Sequence, residues 1–327
     1  TMKQIHWQGH RISRIALGST NFGEPMSREE SWRVIDYARE QGVNVLDTAR
    51  VYGEWYKNGG RCGYCEDVIG SYLEDRKCRN QVYLITKGGH PPLHQRHESR
   101  LNAKCLREDL EASLLDLRTD HIDLYFLHRD HSSMDLPEVM ETLDQFVKEG
   151  KVGAVGASNW RYDRIQEANR YAKEHGLTPF TASQIEWSMA KFEDYCNKDD
   201  TQLAIRPEEY EEYKKSGMLV MCFTAQAHGL FSRAQTLGGY DKLAEADALG
   251  KYKDPANRQR MEAALWLCRK YRVSPAALAV AYLTSQDFPV IPVLGCSRLE
   301  QMQDSLSATD LTLNAEDYYA LLQNETV

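Results

Sequence analysis

The stretch VNVLDTARVYG, residues 43–53, carries the strongest indication of how this chain folds and where its chemistry lies. Its first four residues, 43–46, predict a short buried strand. That strand ends on the carboxylate of Asp47, and Tyr52, backed by a glycine, follows five residues later. An acid and a phenol placed directly after a buried strand are candidates for a functional site.

Two later strand-like runs also end on ionisable side chains. The run VYLITK, residues 82–87, ends on Lys87, and the run IDLYFLH, residues 122–128, ends on His128. Each of these residues alone has a plainer explanation as a surface or structural residue. Their occurrence together with Asp47 and Tyr52, at the ends of three successive strands, predicts a group of four catalytic residues that deliver a proton.

Strands and helices alternate along the whole chain. Eight short runs rich in β-branched residues, separated by amphipathic helices, predict a parallel sheet with right-handed crossovers. Eight such units are typical of one α/β domain, a (β/α)8 TIM barrel over residues 1–327, with an N-terminal β-hairpin and extra surface helices. A doubly wound sheet is the alternative, but no Gly-x-Gly-x-x-Gly turn follows an early strand.

Local signals predict several helix boundaries. Ser27 should cap the first helix, which runs to Glu40, and Glu30 should complete a capping box. The fourth helix, residues 136–149, has Pro137 in its first turn and Gly150 just past its end. The glycine-containing segment 224–256 is predicted to be a long connection.

The composition excludes several classes of protein. The formal charge is −8 and no Lys/Arg tract is present, which argues against a nucleic-acid partner. No apolar run has the length of a membrane span, and residues 1–14 carry no signal-peptide core. Eight cysteines in 327 residues do not make a disulfide scaffold, so we expect reduced thiols in the cytoplasm. Cys62 and Cys65 form a lone Cys-x-x-C without a second ligand pair, and we expect two thiols in a surface loop and no metal site.

In a barrel the carboxyl ends of all strands face one pocket, so the four residues would meet. The ammonium of Lys87 would lower the pKa of Tyr52, and Asp47 would compensate for the buried charge of Lys87. His128 would donate a hydrogen bond to a substrate oxygen. Positioned acid catalysis of this kind is worth roughly 10²–10⁴-fold, but no side chain supplies electrons, so a redox cofactor is implied.

The order of these residues resembles the aldo-keto reductase family, whose barrels bind a nicotinamide dinucleotide without a Rossmann turn. The resemblance implies reduction of a small carbonyl substrate, an aldehyde or ketone, with NADP(H) and, less favoured, NAD(H). The positions implied for cofactor binding are Gly18, Ser19, Thr20, Asp47, Ser158, Asn159, Gln184, Phe223, Thr224, Gln226, Gly229, Leu230, Gly295, Ser297, Arg298, Gln301, Asp304 and Ser305.

The resemblance also assigns parts of the cofactor to some of these positions. Ser158, Asn159 and Gln184 would bind the carboxamide, and Phe223 stands where the family usually has a tyrosine stacked on the nicotinamide. The segment that begins at Gly295 would offer free backbone N–H groups to a phosphate. Arg298 would contact a 2′-phosphate. Asp304 and Ser305 depart from the family's Glu-Asn pair at the adenine.

Trp55, His128 and Arg129 are the predicted substrate contacts. The polar side chains of His90, His94, Arg129 and Asp130 suggest a polyhydroxylated or charged carbonyl substrate, such as a sugar. The alternative function is a non-catalytic NADPH-binding, redox-sensing subunit on the same barrel, like the potassium-channel β subunits. A metal-dependent barrel enzyme is disfavoured because Asp47 and His128 are too few ligands. The sequence does not indicate the oligomeric state.

Overall fold

A short antiparallel hairpin opens the chain in the computed structural model, which describes residues 1–323 and 327. Strands β1 (Gln4–Trp7) and β2 (His10–Ser13) pair with Gln4 opposite Ser13. Ile5, Trp7 and Ile12 of this hairpin pack against the residues that fill the barrel interior. The hairpin therefore covers the amino-terminal end of the barrel, and its prediction is confirmed.

Eight parallel strands close into a barrel in the order in which they occur along the chain, and the last strand pairs with the first. This confirms the (β/α)8 fold. The strands are β3 (Ala16–Gly18), β4 (Val45–Asp47), β5 (Tyr83–Gly88), β6 (Ile122–Leu127), β7 (Val152–Ser158), β8 (Phe180–Glu186), β9 (Leu219–Phe223) and β10 (Val290–Leu294).

Twelve α-helices of the described residues surround the strands or join the connections between them. They are α1 (Arg28–Glu40), α2 (Tyr64–Arg76), α3 (Ala103–Leu117), α4 (Leu136–Lys148), α5 (Tyr162–His175), α6 (Pro207–Ser216), α7 (Leu230–Leu237), α8 (Tyr240–Glu245), α9 (Ala256–Tyr271), α10 (Pro275–Thr284), α11 (Leu299–Ser305) and α12 (Ala315–Leu322).

Helix α1 shows how local sequence determines an element. Ser27 Oγ accepts a hydrogen bond from the backbone N–H of Glu30 at 3.2 Å, and Glu30 Oε2 accepts one from the N–H of Ser27 at 2.7 Å. The predicted capping box is thus confirmed, and two otherwise unpaired N–H groups are satisfied. Val34, Ile35 and Ala38 lie on the buried face of the helix, so the apolar spacing orients it against the sheet.

The barrel interior is filled by side chains. Val45, Ile85, Phe126 and Ile291 belong to one buried cluster that runs across the strands. A Cβ atom at Gly156 would lie 2.5 Å from a ring carbon of Phe126, so only glycine leaves room for that ring. The interior is thus a packed core, and space for a ligand is left at its carboxyl-terminal mouth.

The structure corrects two local predictions. The segment after β9 contains the short helices α7 and α8, because Gly238 and Gly239, with φ of 99° and 102°, end one helix and precede the next. Cys65 is buried in the first turn of α2 and is not in a surface loop, whereas Cys62 is partly exposed. Both are free thiols.

Two features typical of other protein classes are absent from the described residues. No helix among them combines the length and apolarity that a membrane crossing requires. In residues 1–323 and 327, no group of three or more His, Cys, Asp or Glu side chains is arranged to hold a metal ion.

Candidate active site

The four predicted catalytic side chains meet at the carboxyl ends of β4, β5 and β6. Lys87 Nζ lies 2.7 Å from Asp47 Oδ2, 2.8 Å from the carbonyl oxygen of Thr48 and 3.4 Å from the hydroxyl oxygen of Tyr52. Asp47 and Lys87 are each 1% exposed. Parallel pairing of the three strands is what brings these distant residues together.

Aromatic rings enclose the phenol on two sides. The ring of His128 lies 5.7 Å from the ring of Tyr52, and that of Trp55 lies 5.8 Å from it, both edge to face. Lys87 Nζ sits 5.0 Å from the centre of the Tyr52 ring, which adds a cation–π attraction. The Tyr52 ring is therefore held between the two aromatic neighbours and the ammonium group.

Burial outweighs the predicted effect of Lys87 on the pKa of Tyr52. Removal from water raises the pKa of Tyr52, Lys87 offsets this only in part, and Asp47 adds to the rise. The predicted lowering by Lys87 is thus present, but desolvation of the phenolate outweighs one nearby ammonium, and the pKa of Tyr52 is raised on balance. Burial also opposes the charge on Lys87, but Asp47 and Tyr52 reverse this and raise the pKa of Lys87. At neutral pH the tyrosine is protonated and the lysine is charged.

His128 is neutral at this site. Burial, together with the charge of Arg129 and the neighbouring His90 and Lys87, holds the pKa of His128 well below its usual value. Its Nδ1 atom is buried and has no hydrogen-bond partner among the described residues. A neutral imidazole carries one N–H and can therefore donate a hydrogen bond to a carbonyl oxygen.

A cavity of about 1160 Å³ opens beside these residues. Lys87 lies behind Tyr52 and is not among the lining residues, whereas Asp47, Tyr52 and His128 are. Every predicted cofactor position lines the cavity except Leu230, whose side chain is fully buried in the core. The three predicted substrate residues, Trp55, His128 and Arg129, line it as well.

The cavity wall has features that fit a dinucleotide. Ser19 Oγ is buried without a partner among the described residues, which is costly unless a ligand contacts it. Arg298, which lines the same cavity, is exposed and forms no ion pair within the described part of the chain. A buried donor and a free guanidinium, both on the wall of one long cavity, suit a ligand that carries phosphate.

Two side-chain amides among the predicted cofactor-binding residues already form hydrogen bonds within the protein. Gln184 Nε2 donates to Asp47 Oδ1 at 3.0 Å, which leaves its oxygen available. Asn159 Nδ2 donates to the carbonyl oxygen of His128 at 3.2 Å, and Asn159 Oδ1 accepts from the N–H of Leu203 at 2.9 Å. The contact of Asn159 with a carboxamide stays a prediction, because in this arrangement the amide ties two loops together.

The segment that begins at Gly295, which was predicted to offer free backbone N–H groups to a phosphate, differs from that prediction at Ser297. The backbone N–H of Ser297 is not free, because it donates to Gln301 Oε1 at 2.8 Å, and Ser297 Oγ also lies 3.1 Å from that oxygen. Gln226 Nε2 donates to Ser305 Oγ at 2.8 Å. The side chain of Arg298, in contrast, forms no hydrogen bond or ion pair within the described residues.

Sequence reasoning missed several lining residues. Arg233 lines the cavity, with Nη1 2.5 Å from the carbonyl oxygen of His228. Leu93, Asp199 and Gln202 also line it. The basic side chain of Arg233, close in sequence to the predicted cofactor residues Gly229 and Leu230, was a usable signal. The loop that carries Asp199 and Gln202 has no periodic pattern, so nothing in the sequence placed it near His128.

The polar groups expected around the substrate divide into two sets. His90 and Arg129 line the cavity, whereas His94 is exposed outside it and Asp130 pairs with Arg164 at 3.2 Å. Arg129 Nη1 donates to the carbonyl oxygen of His128 at 3.0 Å. The expectation that all four shape the substrate pocket is therefore wrong for His94 and Asp130.

Comparison with known proteins agrees with this geometry. A family model described as "Aldo/keto reductase family" matches residues 14–323. The chain is 27% identical to the "Uncharacterized oxidoreductase YrpG" of Bacillus subtilis (strain 168), over 94% of this chain and 90% of that protein. It is 28% identical to the norsolorinic acid reductase stcV of Emericella nidulans, over 96% of this chain and 78% of that protein.

A third relative is an aryl-alcohol dehydrogenase of Pestalotiopsis microspora, 26% identical over 94% of this chain and 77% of that protein. All three share the larger part of their length with this chain. A match over so much of the chain, on a closed barrel with the expected strand order, leaves one conclusion: the chain belongs to the aldo-keto reductase family.

Proposed function

We propose that this protein is an NADPH-dependent reductase that converts an aldehyde or ketone to an alcohol, with Tyr52 as the proton donor. The observation that carries the proposal is the hydrogen-bonded series Asp47–Lys87–Tyr52, whose first and last members line the large cavity. Oxidoreductase chemistry on carbonyl compounds agrees with the family.

The chain's own residues would hold the substrate and move the proton. The hydroxyl of Tyr52 would donate its proton to the carbonyl oxygen, and Lys87 would stabilise the phenolate that remains. Asp47 keeps the buried ammonium of Lys87 charged. His128, neutral and buried, would donate a hydrogen bond to the same oxygen, and this arrangement is worth roughly 10²–10⁴-fold in rate.

The cofactor would supply the hydride that no side chain can supply. We favour NADP(H) over NAD(H) because the guanidinium of Arg298, which lines the cavity and pairs with no described residue, would suit a 2′-phosphate. Replacing Arg298 by alanine should weaken the binding of NADPH much more than that of NADH, as measured by nicotinamide fluorescence. Equal losses for both would contradict the assignment.

The decisive experiment follows NADPH oxidation at 340 nm with a panel of aldehydes and ketones. The panel should include aromatic carbonyls, since relatives are named norsolorinic acid reductase and aryl-alcohol dehydrogenase. Turnover with any carbonyl supports the proposal. Tight NADPH binding without turnover on the whole panel would instead support the redox-sensing subunit. The cytoplasmic location and the single domain stay predictions.

A further inference from the structure

The wall beside the catalytic imidazole is polar because of His90. Its ring lines the cavity, and its centre lies 4.8 Å from the centre of the His128 ring, edge to face. His90 is therefore a direct neighbour of the imidazole that would bind the carbonyl oxygen. The proposed mechanism gives this side chain no task.

The hydrogen bonding of His90 leaves one nitrogen as an acceptor. Nδ1 lies 2.6 Å from the carbonyl oxygen of Pro91, and since a carbonyl can only accept, Nδ1 must carry the hydrogen. Nε2 then has a lone pair, and no described residue donates to it. Burial and the charge of Arg129 lower the pKa of His90 to about 4, so the lone pair is present at neutral pH.

The same wall continues through a neutral polar surface. The side-chain amide of Gln202 lines the cavity and forms no hydrogen bond with the described residues. The guanidinium of Arg129 is balanced by Asp199, 3.4 Å from it, and its Nε donates to Thr201 Oγ1 at 2.9 Å. Since Arg129 is paired, this wall offers hydrogen bonds without a net charge that would recruit an anion.

Apolar side chains form the other part of the substrate region. Trp55 is 47% exposed and Leu93 is 40% exposed, and both line the cavity. The indole of Trp55 packs against the ring of Tyr52. A substrate chain would thus meet carbon atoms on this side and hydrogen-bonding groups at His90 and Gln202.

We infer that His90 is a specificity-determining residue that accepts a hydrogen bond from a hydroxyl group on the carbon next to the substrate carbonyl, so that neutral 2-hydroxy aldehydes and ketones are the preferred class. This inference rests on the proposed reductase function. A substrate with a methyl group in place of the hydroxyl leaves Nε2 without a donor. A substrate with a carboxylate at that position would place a carboxylate oxygen, which can only accept a hydrogen bond, against the acceptor Nε2.

The test compares two aldehydes of nearly equal size, 2-hydroxypropanal and 2-methylpropanal. Glyoxylate serves as an anionic test substrate and 4-nitrobenzaldehyde as an aromatic one. The wild type should show the highest kcat/KM with 2-hydroxypropanal. In His90→Phe, which keeps a ring but has no acceptor, the ratio of kcat/KM for the hydroxy to the methyl aldehyde should fall about tenfold or more. His90→Asn, which retains an acceptor, should restore part of the ratio.

His94→Phe is the matched control, because His94 is a neighbouring histidine outside the cavity, and the ratio should not change. NADPH titration by fluorescence checks that each variant is folded. An unchanged ratio in His90→Phe, or a wild-type preference for the methyl, anionic or aromatic aldehyde, would overturn this inference and leave the reductase function standing. A wild type that reduces none of these aldehydes would overturn this inference, and turnover on the panel of aldehydes and ketones described above then decides separately whether the reductase function stands.

Discussion

At the scale of single residues, the buried ion pair of Asp47 and Lys87 should be highly sensitive to mutation. Both side chains are 1% exposed and their charged atoms lie 2.7 Å apart. Breaking a buried ion pair by removing one partner typically costs about 3–5 kcal/mol, because the other charge is left uncompensated. The pair therefore serves the stability of the site as well as its chemistry.

We expect Lys87→Met to lower the stability of the fold by about that amount and to abolish most turnover. The double variant Asp47→Asn/Lys87→Met should regain a large part of the stability, because it leaves no buried charge, but none of the activity. Urea unfolding of the wild type, of Lys87→Met, of Asp47→Asn and of the double variant measures the coupling. A double variant less stable than Lys87→Met would contradict the view that the two charges compensate each other.

The pKa shifts of Tyr52 and His128 predict the pH dependence of carbonyl reduction. The pKa of His128 is lowered, so the imidazole stays neutral until well on the acid side of its ordinary range. The pKa of Tyr52 is raised, so its proton is lost only on the alkaline side of the ordinary tyrosine value. We expect kcat/KM to stay flat between about pH 6 and pH 9 and to fall only above that range. If kcat/KM of the wild type falls at acid pH and this fall is absent in His128→Gln, the imidazole becomes charged in that range and the expectation is wrong.

At the scale of elements, the loop between β4 and α2 holds Tyr52 and Trp55 in place. Its two ends meet where the N–H of Gly63 donates to the carbonyl oxygen of Arg50 at 2.6 Å. The guanidinium of Arg50 lies 2.6 Å from Glu66 and 2.7 Å from Asp116, and it donates to the carbonyl oxygen of Cys62 at 2.9 Å. Arg50 thus fastens the loop to α2 and α3.

We expect Arg50 to act as a positioning residue for Tyr52. Arg50→Met should lower kcat about tenfold or more, since small displacements of a proton donor have large effects on rate, while NADPH affinity stays near that of the wild type. Arg61→Met is the control, because Arg61 is 47% exposed and contacts the same Asp116 at 3.0 Å; it should change little. A loss of thermal stability in Arg50→Met with kcat unchanged would show a merely structural role.

Elements with periodic apolar residues and caps, such as α1, could be predicted from the sequence because their signals are local. The helices α7 and α8 could not, because they are short and are bounded by glycines that are equally typical of loops. The direction of the pKa shift at Tyr52 was also beyond the sequence. It depends on how completely the phenol is desolvated, which is a property of the folded cavity.

At the scale of the whole molecule, barrel closure explains why three strand ends in the sequence predicted one site. Parallel pairing of neighbouring strands brings Asp47, Lys87 and His128 to the same mouth although they span 81 positions. The loop with Asp199 and Gln202 reaches this mouth from β8 through irregular backbone. No sequence pattern predicts the course of such a loop. That its polar residues line the cavity could therefore be seen only in the structure.

The most direct test of the whole account is the turnover of Tyr52→Phe at saturating NADPH with the best aldehyde of the panel. Removing only the phenolic hydroxyl should reduce kcat about 10²-fold or more, while nicotinamide fluorescence reports cofactor binding close to that of the wild type. If Tyr52→Phe keeps the full rate of carbonyl reduction, another group supplies the proton, and the central claim is wrong.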